Sequence, residues 1–172
     1  MNSIPIRLNE LESQASKKGI LLRIQIRRPL GLWSLRLVAA KQFGQERIQI
    51  LGEMKAWAYA KERGLQLDNL RISKDAPKGL NYLIWSATML WALEKTPCRY
   101  ARLLAINDND YKHIVLIKYF QRKGFKIIKE VKAEAKDLPY RIVWGGAGTL
   151  MSANCHDVLS LNYNSWQAIR KS

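Results

Sequence analysis

Alternation of apolar and polar positions dominates the first 72 residues of the chain. The segments 19-GILLRIQIRR-28 and 32-LWSLRLVAA-40 alternate as half-buried strands do, with Pro29, Leu30 and Gly31 as a tight turn between them. Gly44 and Gln45 break the chain before 47-RIQILGEMKAWAYAK-61, which alternates again and is enriched in aromatic residues. Glu62, Arg63 and Gly64 then turn it into 65-LQLDNLRI-72. Four consecutive strands with short connections predict an antiparallel meander. Ahead of it, residues 6–18 predict a short, mostly polar helix.

After Ile72 the period changes. Leu80, Leu83, Ile84, Ala87, Leu90 and Trp91 recur at helical spacing, and Pro97 ends that helix. Residues 99-RYARLLAI-106 are apolar enough for a central strand. A second helix is expected over 108–123, with Ile114, Leu116, Ile117 and Phe120 available to pack and Gly124 as its stop. The segments 126-KIIKEVKAEA-135 and 140-YRIVWGGAGTLMSA-153 read as two final strands, and 159–170 as a short terminal helix. The expected fold is α/β of the α+β type: a mixed, mostly antiparallel sheet with two main helices, at 79–95 and 108–123. One domain covers 1–172, with 151–172 as a tail carrying the short helix.

Composition sharpens this picture in two ways. The 172 residues are 48% hydrophobic, which suits one domain with a genuine core. Lys and Arg number 29 against 14 Asp and Glu, a formal charge of +15, and a polyanionic partner is the first thought. That charge is divided almost equally between the two halves of the chain, so it is not a basic tail. Cys98 and Cys155 have no metal-ligand spacing and read as reduced, partly buried thiols. With no signal-peptide pattern and no apolar run long enough to span a bilayer, a soluble, cytoplasmic protein is expected.

A Gly-bearing turn, 76-APKGLN-81, joins the fourth strand to the first long helix. A second motif, 113-HIVLIKYFQRKGF-125, ends a helix that follows a strand and precedes another. Together with the element order, these resemble the GNAT N-acyltransferase superfamily over roughly residues 45–150. The family's pyrophosphate loop, Arg/Gln-x-x-Gly-x-Gly/Ala, falls on Ala76 to Asn81: Gly79 matches, Ala76 replaces the leading Arg, and Asn81 replaces the second Gly. The family's Asn-x-x-Ala-x-x-Leu-Tyr-x-x-x-Gly-Phe is matched at Gly124 and Phe125. His113, Leu116 and Phe120 stand in place of its Asn, Ala and Tyr, and Tyr119 lies one residue early.

The resemblance implies an acetyl-CoA-dependent N-acetyltransferase acting on an amine. Backbone groups of Leu70 and Ile72 would hold the pantetheine arm. Lys78, Gly79, Leu80, Asn81 and Tyr82 would surround the pyrophosphate, where helix N–H groups and the helix dipole favour an anion. Asp68 or Glu53 would act as base and Tyr119 as acid. For Asp68 and Glu53, the plainer reading is that both balance neighbouring Arg and Lys on strand surfaces. The alternative is a noncatalytic GNAT-fold protein that docks onto RNA or another acidic partner. The charge and the mere four residues, 28–31, where the family inserts acceptor-side helices favour it. No helix-turn-helix or zinc finger supports a sequence-specific DNA reader.

Three further features have plain structural readings. His113 is expected to serve packing or a hydrogen bond, and 144-WGGAG-148 to be a bulge or a tight backbone contact rather than a phosphate loop. The six tryptophans are mostly core on spacing grounds, with Trp33 and Trp57 as possible binding-face residues. The seven basic side chains of 118–136 form either a solvated face or a contact for the 3′-phosphate of coenzyme A.

Overall fold

The computed structural model describes residues 3–107, 109–144 and 146–171. Helix α1 (Leu8–Lys17) precedes β1 (Leu21–Arg27), β2 (Trp33–Phe43), β3 (Arg47–Ala58) and β4 (Leu65–Ile72). Then follow α2 (Leu80–Lys95), β5 (Tyr100–Ile106), α3 (Asp110–Arg122), β6 (Lys126–Val131), α4 (Leu138–Trp144), β7 (Gly148–Asn154) and α5 (Cys155–Lys171). The seven strands form one sheet in the order β1-β2-β3-β4-β5-β7-β6. All neighbours are antiparallel except β4 and β5.

The alternation of the meander does what it predicts. Leu35, Leu37, Met54, Ala56, Ala58, Leu65 and Leu67 point into one core. The alternate positions Arg23, Arg27, Arg36, Lys55, Trp57 and Asp68 face away from it. Helix α2 has no polar stripe. Twelve of the fourteen residues from Leu80 to Leu93, all but Asn81 and Tyr82, are buried, because the sheet covers one side of the helix and α5 the other. Helix α3 ends in a Schellman turn at Gly124 (φ 98°): the N–H of Phe125 donates to Phe120 O at 3.1 Å and that of Gly124 to Gln121 O at 3.0 Å. The rings of Phe120 and Phe125 meet at 6.1 Å and clamp the motif against Trp85.

Two expectations fail. The stretch 140–144 belongs to α4, not to a strand. Pro139 sits in the first turn of that helix, where its missing N–H is harmless, and Asp137 just before it accepts from Lys132 N at 2.9 Å and Lys129 Nζ at 2.9 Å. Nor are residues 151–172 a tail. Strand β7 lies between β5 and β6, and α5 is a 17-residue helix, so the main helices number three. The Asn154 side chain caps α5 by accepting from His156 N at 2.9 Å. Val158, Leu159 and Trp166 carry α5 into the core.

The plain readings of His113 and Gly148 hold, while of the six tryptophans Trp85, Trp91 and Trp166 are buried in the core. His113 is buried, with Nδ1 3.2 Å from Ile106 O and Nε2 3.0 Å from Thr149 Oγ1. At Gly148 a side chain would meet Ala105 O, the tight contact expected of the WGGAG run. Gly145 of that run, like Asp108 at the expected start of the second helix, lies outside the described residues. Both cysteines are buried and free, and burial pushes the Cys155 thiol up to about 12. Among the described residues no helix is long and apolar enough to cross a membrane.

Because Trp166 is only 1% exposed, α5 is part of the core. Trp166→Ala is therefore expected to lower the unfolding free energy by about 3–5 kcal/mol. Ser160→Ala, on the exposed side, should stay within about 0.5 kcal/mol. Urea denaturation followed by tryptophan fluorescence and circular dichroism checks both.

Candidate functional site

The site is organised by a break in the sheet. Strands β4 and β5 pair in parallel at only two positions, Leu65 with Ala101 and Gln66 with Arg102. Just past this pairing β4 is bulged: Lys55 faces Asn69 and Ala56 faces Leu67, which leaves Asp68 without a partner on β3. A bulge bends its strand and increases the local twist. The rest of β4, including Leu70 and Ile72, therefore runs apart from β5. The expected divergence of these two strands is present.

Tyr119 of α3 stands against Trp85 of α2. Its hydroxyl accepts from Trp85 Nε1 at 3.0 Å, and burial raises its pKa above the ordinary phenol value. A phenol that accepts an N–H keeps its own proton to give. The one-residue offset from the family's Tyr does not turn Tyr119 outward, since both Tyr119 and Phe120 pack around Trp85 and the core.

The two carboxylates lie on the opposite, open face of the sheet. Glu53 is held by Arg36 at 2.5 Å and by Lys55 at 3.9 Å. The Arg36 hydrogen bond outweighs desolvation and holds its pKa below the usual carboxylate value, which makes it a weak base. Asp68 forms no ion pair among the described residues. It lines a hollow of about 480 Å³ with Arg27, Arg36, Lys55 and Trp57. Only a short 3-10 turn at Pro29–Gly31 joins β1 to β2, so no helix roofs this hollow.

At the mouth of α2, Gly79 adopts φ 88°, a left-handed conformation that suits glycine. A Cβ placed there would lie 2.8 Å from Ile169 Cδ1, so the last turn of α5 already presses on it. Leu80 is buried and its N–H donates to Pro77 O at 3.2 Å. The N–H of Tyr82 serves Gly79 O and Asn81 Oδ1, at 3.0 and 2.9 Å. Lys78 is exposed on the loop. The structure thus brings Asn81 and Tyr82 to one place, but it closes the Gly79 side.

That place is a cavity of about 580 Å³ between α2, α3 and α5, lined by Asn81, Tyr82, Arg122, Lys123, Asn162 and Ser165 among others. Lys123 is 4% exposed. Its Nζ donates to Asn162 Oδ1 at 3.0 Å and lies 3.9 Å from the centre of the Tyr82 ring. Desolvation, with a smaller contribution from Arg122, lowers its pKa to about 8. In sequence Lys123 belongs to the basic stripe 118–136, expected as a solvated face or a contact for the 3′-phosphate of coenzyme A, and only the packing of α5 reveals that it is buried.

Strand order 1-2-3-4-5-7-6, one parallel pair at a splay and a helix launched from the fourth strand match the architecture that the sequence motifs imply. Solved structures similar to the chain include an uncharacterized protein from Bacillus halodurans (17% identity, 80% of this chain and 66% of that one, TM-score 0.49). An acetyltransferase of the GNAT family from Streptococcus pneumoniae shows 20% identity over 70% of this chain and 66% of that one, TM-score 0.44. A nourseothricin acetyltransferase shows 14% identity over 89% of this chain and 95% of that one, TM-score 0.48. The chain thus spans just under two thirds of the first two of these structures. No protein-family model and no curated protein matches the chain.

Two measurements follow from this geometry. Gly79→Ala is expected to cost about 1–2 kcal/mol of stability, the penalty of a left-handed L-residue, with or without ligand; urea denaturation reads it. Lys123 holds its proton less firmly folded than unfolded, so the unfolded chain binds more protons between about pH 8 and 10.5 and this residue's contribution rises with pH there. Below about pH 8 both states are charged and the full cost stands. In phosphate-free buffer Lys123→Met should therefore be more stable than the parent at pH 7, by about 3 kcal/mol at 1.36 kcal/mol per pKa unit. The gap should close toward pH 10.5.

Proposed function

We propose that the protein is a GNAT-fold N-acetyltransferase that takes acetyl-CoA as co-substrate. The observation that carries this reading is the splay of β4 from β5, which begins beside the bulged Asp68; Tyr119 on α3 adds a desolvated phenol that keeps its proton. The thioester would lie in the cleft, its pantetheine arm along Leu70 and Ile72, and its phosphates beside Asn81 and Tyr82. An amine arriving from the open face would lose its proton to Asp68, directly or through water, and attack the carbonyl. Tyr119 would protonate the departing thiolate. Asp68 suits the base role better than Glu53, whose carboxylate is engaged by Arg36.

The open face also favours one kind of acceptor. Arg27, Arg36 and Lys55 line the hollow with Asp68, and Arg23, Arg71 and Glu53 lie on the same face of the meander. A free polycation would be repelled there. An amine carried on an acidic peptide or a nucleotide would be attracted. The same uncovered basic face, with Trp57 37% exposed in it, favours the second reading, a noncatalytic module that docks on RNA or an acidic protein.

Calorimetric titration with acetyl-CoA separates the two. Saturable binding that persists at moderate salt is expected. Folded protein that binds no acetyl-CoA, yet is retained on heparin and released by modest salt as counterion release demands, would replace the enzyme by the docking module. If binding holds, Tyr119→Phe should keep acetyl-CoA affinity within a few-fold while slowing transfer to an acceptor by about 10²-fold or more.

A further inference from the structure

We infer that the cavity between α2, α3 and α5 is a phosphate-binding site whose anion completes the buried Lys123. Three observations point there. Lys123 is more than nine-tenths buried, yet among the described residues no carboxylate pairs with it. Its neighbours are the neutral Asn162 and the faces of Tyr82 and Tyr119, at 3.9 and 5.4 Å. The next residue along, Arg122, brings a second positive charge to the same cavity.

A buried ammonium with one neutral acceptor is costly, and a second cation beside it raises the cost. A fold that keeps both at the wall of a cavity of about 580 Å³ has room for the missing counter-charge. The donor set suits a tetrahedral oxyanion. Lys123 offers a point charge, Arg122 a planar fork, and the Asn81 side chain an uncharged donor. Asn162 is anchored by its own donation to Val158 O at 2.7 Å, so its oxygen holds the ammonium in place. The depressed pKa of Lys123 agrees, because desolvation and Arg122 lower it and no carboxylate among the described residues raises it.

The phosphate could arrive on coenzyme A, as its 3′-phosphate, or as a separate phosphate. The first source rests on the function proposed above; the site itself does not. The test titrates the parent, Lys123→Met and Arg122→Gln with coenzyme A, with dephospho-coenzyme A and with inorganic phosphate. Arg122 is exposed, so its variant keeps the core if Lys123→Met does not fold.

If coenzyme A supplies the group, the parent should prefer it to the dephospho form by about tenfold or more, and either variant should erase the preference. If the phosphate is separate, inorganic phosphate should raise the melting temperature of the parent and not of the variants, whether or not coenzyme A binds. Phosphate stabilisation without coenzyme A binding would remove the acetyltransferase reading and leave this one standing. Equal responses of parent and both variants to all three ligands would overturn it.

Discussion

The early end of the β4–β5 pairing governs everything built on this sheet. After a meander of antiparallel neighbours the chain must cross over through α2 to add a parallel strand, and the ladder that results holds for two positions. Beyond them both strands expose backbone donors and acceptors that the sheet does not use. Unpaired polar backbone inside a fold needs partners, from protein, water or ligand. The bulge at Asp68 makes the separation permanent by bending β4 away just where pairing stops. Helices α2 and α3 bound the opening on one side, and the bare face of the meander bounds it on the other.

Helix α5 changes what that opening can accept. It buries the outer side of α2 and sets Ile169 against Gly79, where a helix mouth would otherwise receive an anion on its axis. The N-terminal dipole of α2 is still present, but the approach is displaced toward Asn81 and Tyr82. The same packing takes Lys123 out of water. One structural addition therefore closes one anion position and charges the adjoining one. Its hydrophobic anchors, Val158, Leu159 and Trp166, are what make both effects rigid.

Much of the frame was legible in the residues because the core imposes clear periods. The four meander strands, α2 and α3 lie where alternation and helical spacing put them. The misreading of 140-YRIVW-144 has a plain cause: a short run rich in aromatic and β-branched residues suits a strand or a helix, and only Pro139 and Asp137 ahead of it mark a helix start. In the same way, Asn154 caps α5 four residues before its expected beginning. The site was less legible. Tyr119, Asn81 and Tyr82 could be placed by motif. The burial of Lys123 depends on Asn162, 39 residues away, and no local pattern reports such a contact. Glu53 and Asp68 look alike in sequence, and the difference between them is the cross-strand position of Arg36.

The charge of +15 acts at two levels, and only one of them selects a ligand. Exposed Arg and Lys on the open face raise the local concentration of any anion and speed encounter, an effect that salt screens within about 10 Å at moderate ionic strength. They distinguish poorly among anions, since each pair formed in water is weak. Lys123 works in different surroundings. With water excluded, the same charge interacts several-fold more strongly, and its fixed neighbours Tyr82 and Asn162 leave few geometries open to a partner. Discrimination between one phosphate-bearing molecule and another therefore belongs to the cavity, while the open face gathers anions of any kind. A cofactor held in the cleft between them would meet both: its phosphate selected on the helix side, its acyl group presented to whatever the basic face has attracted.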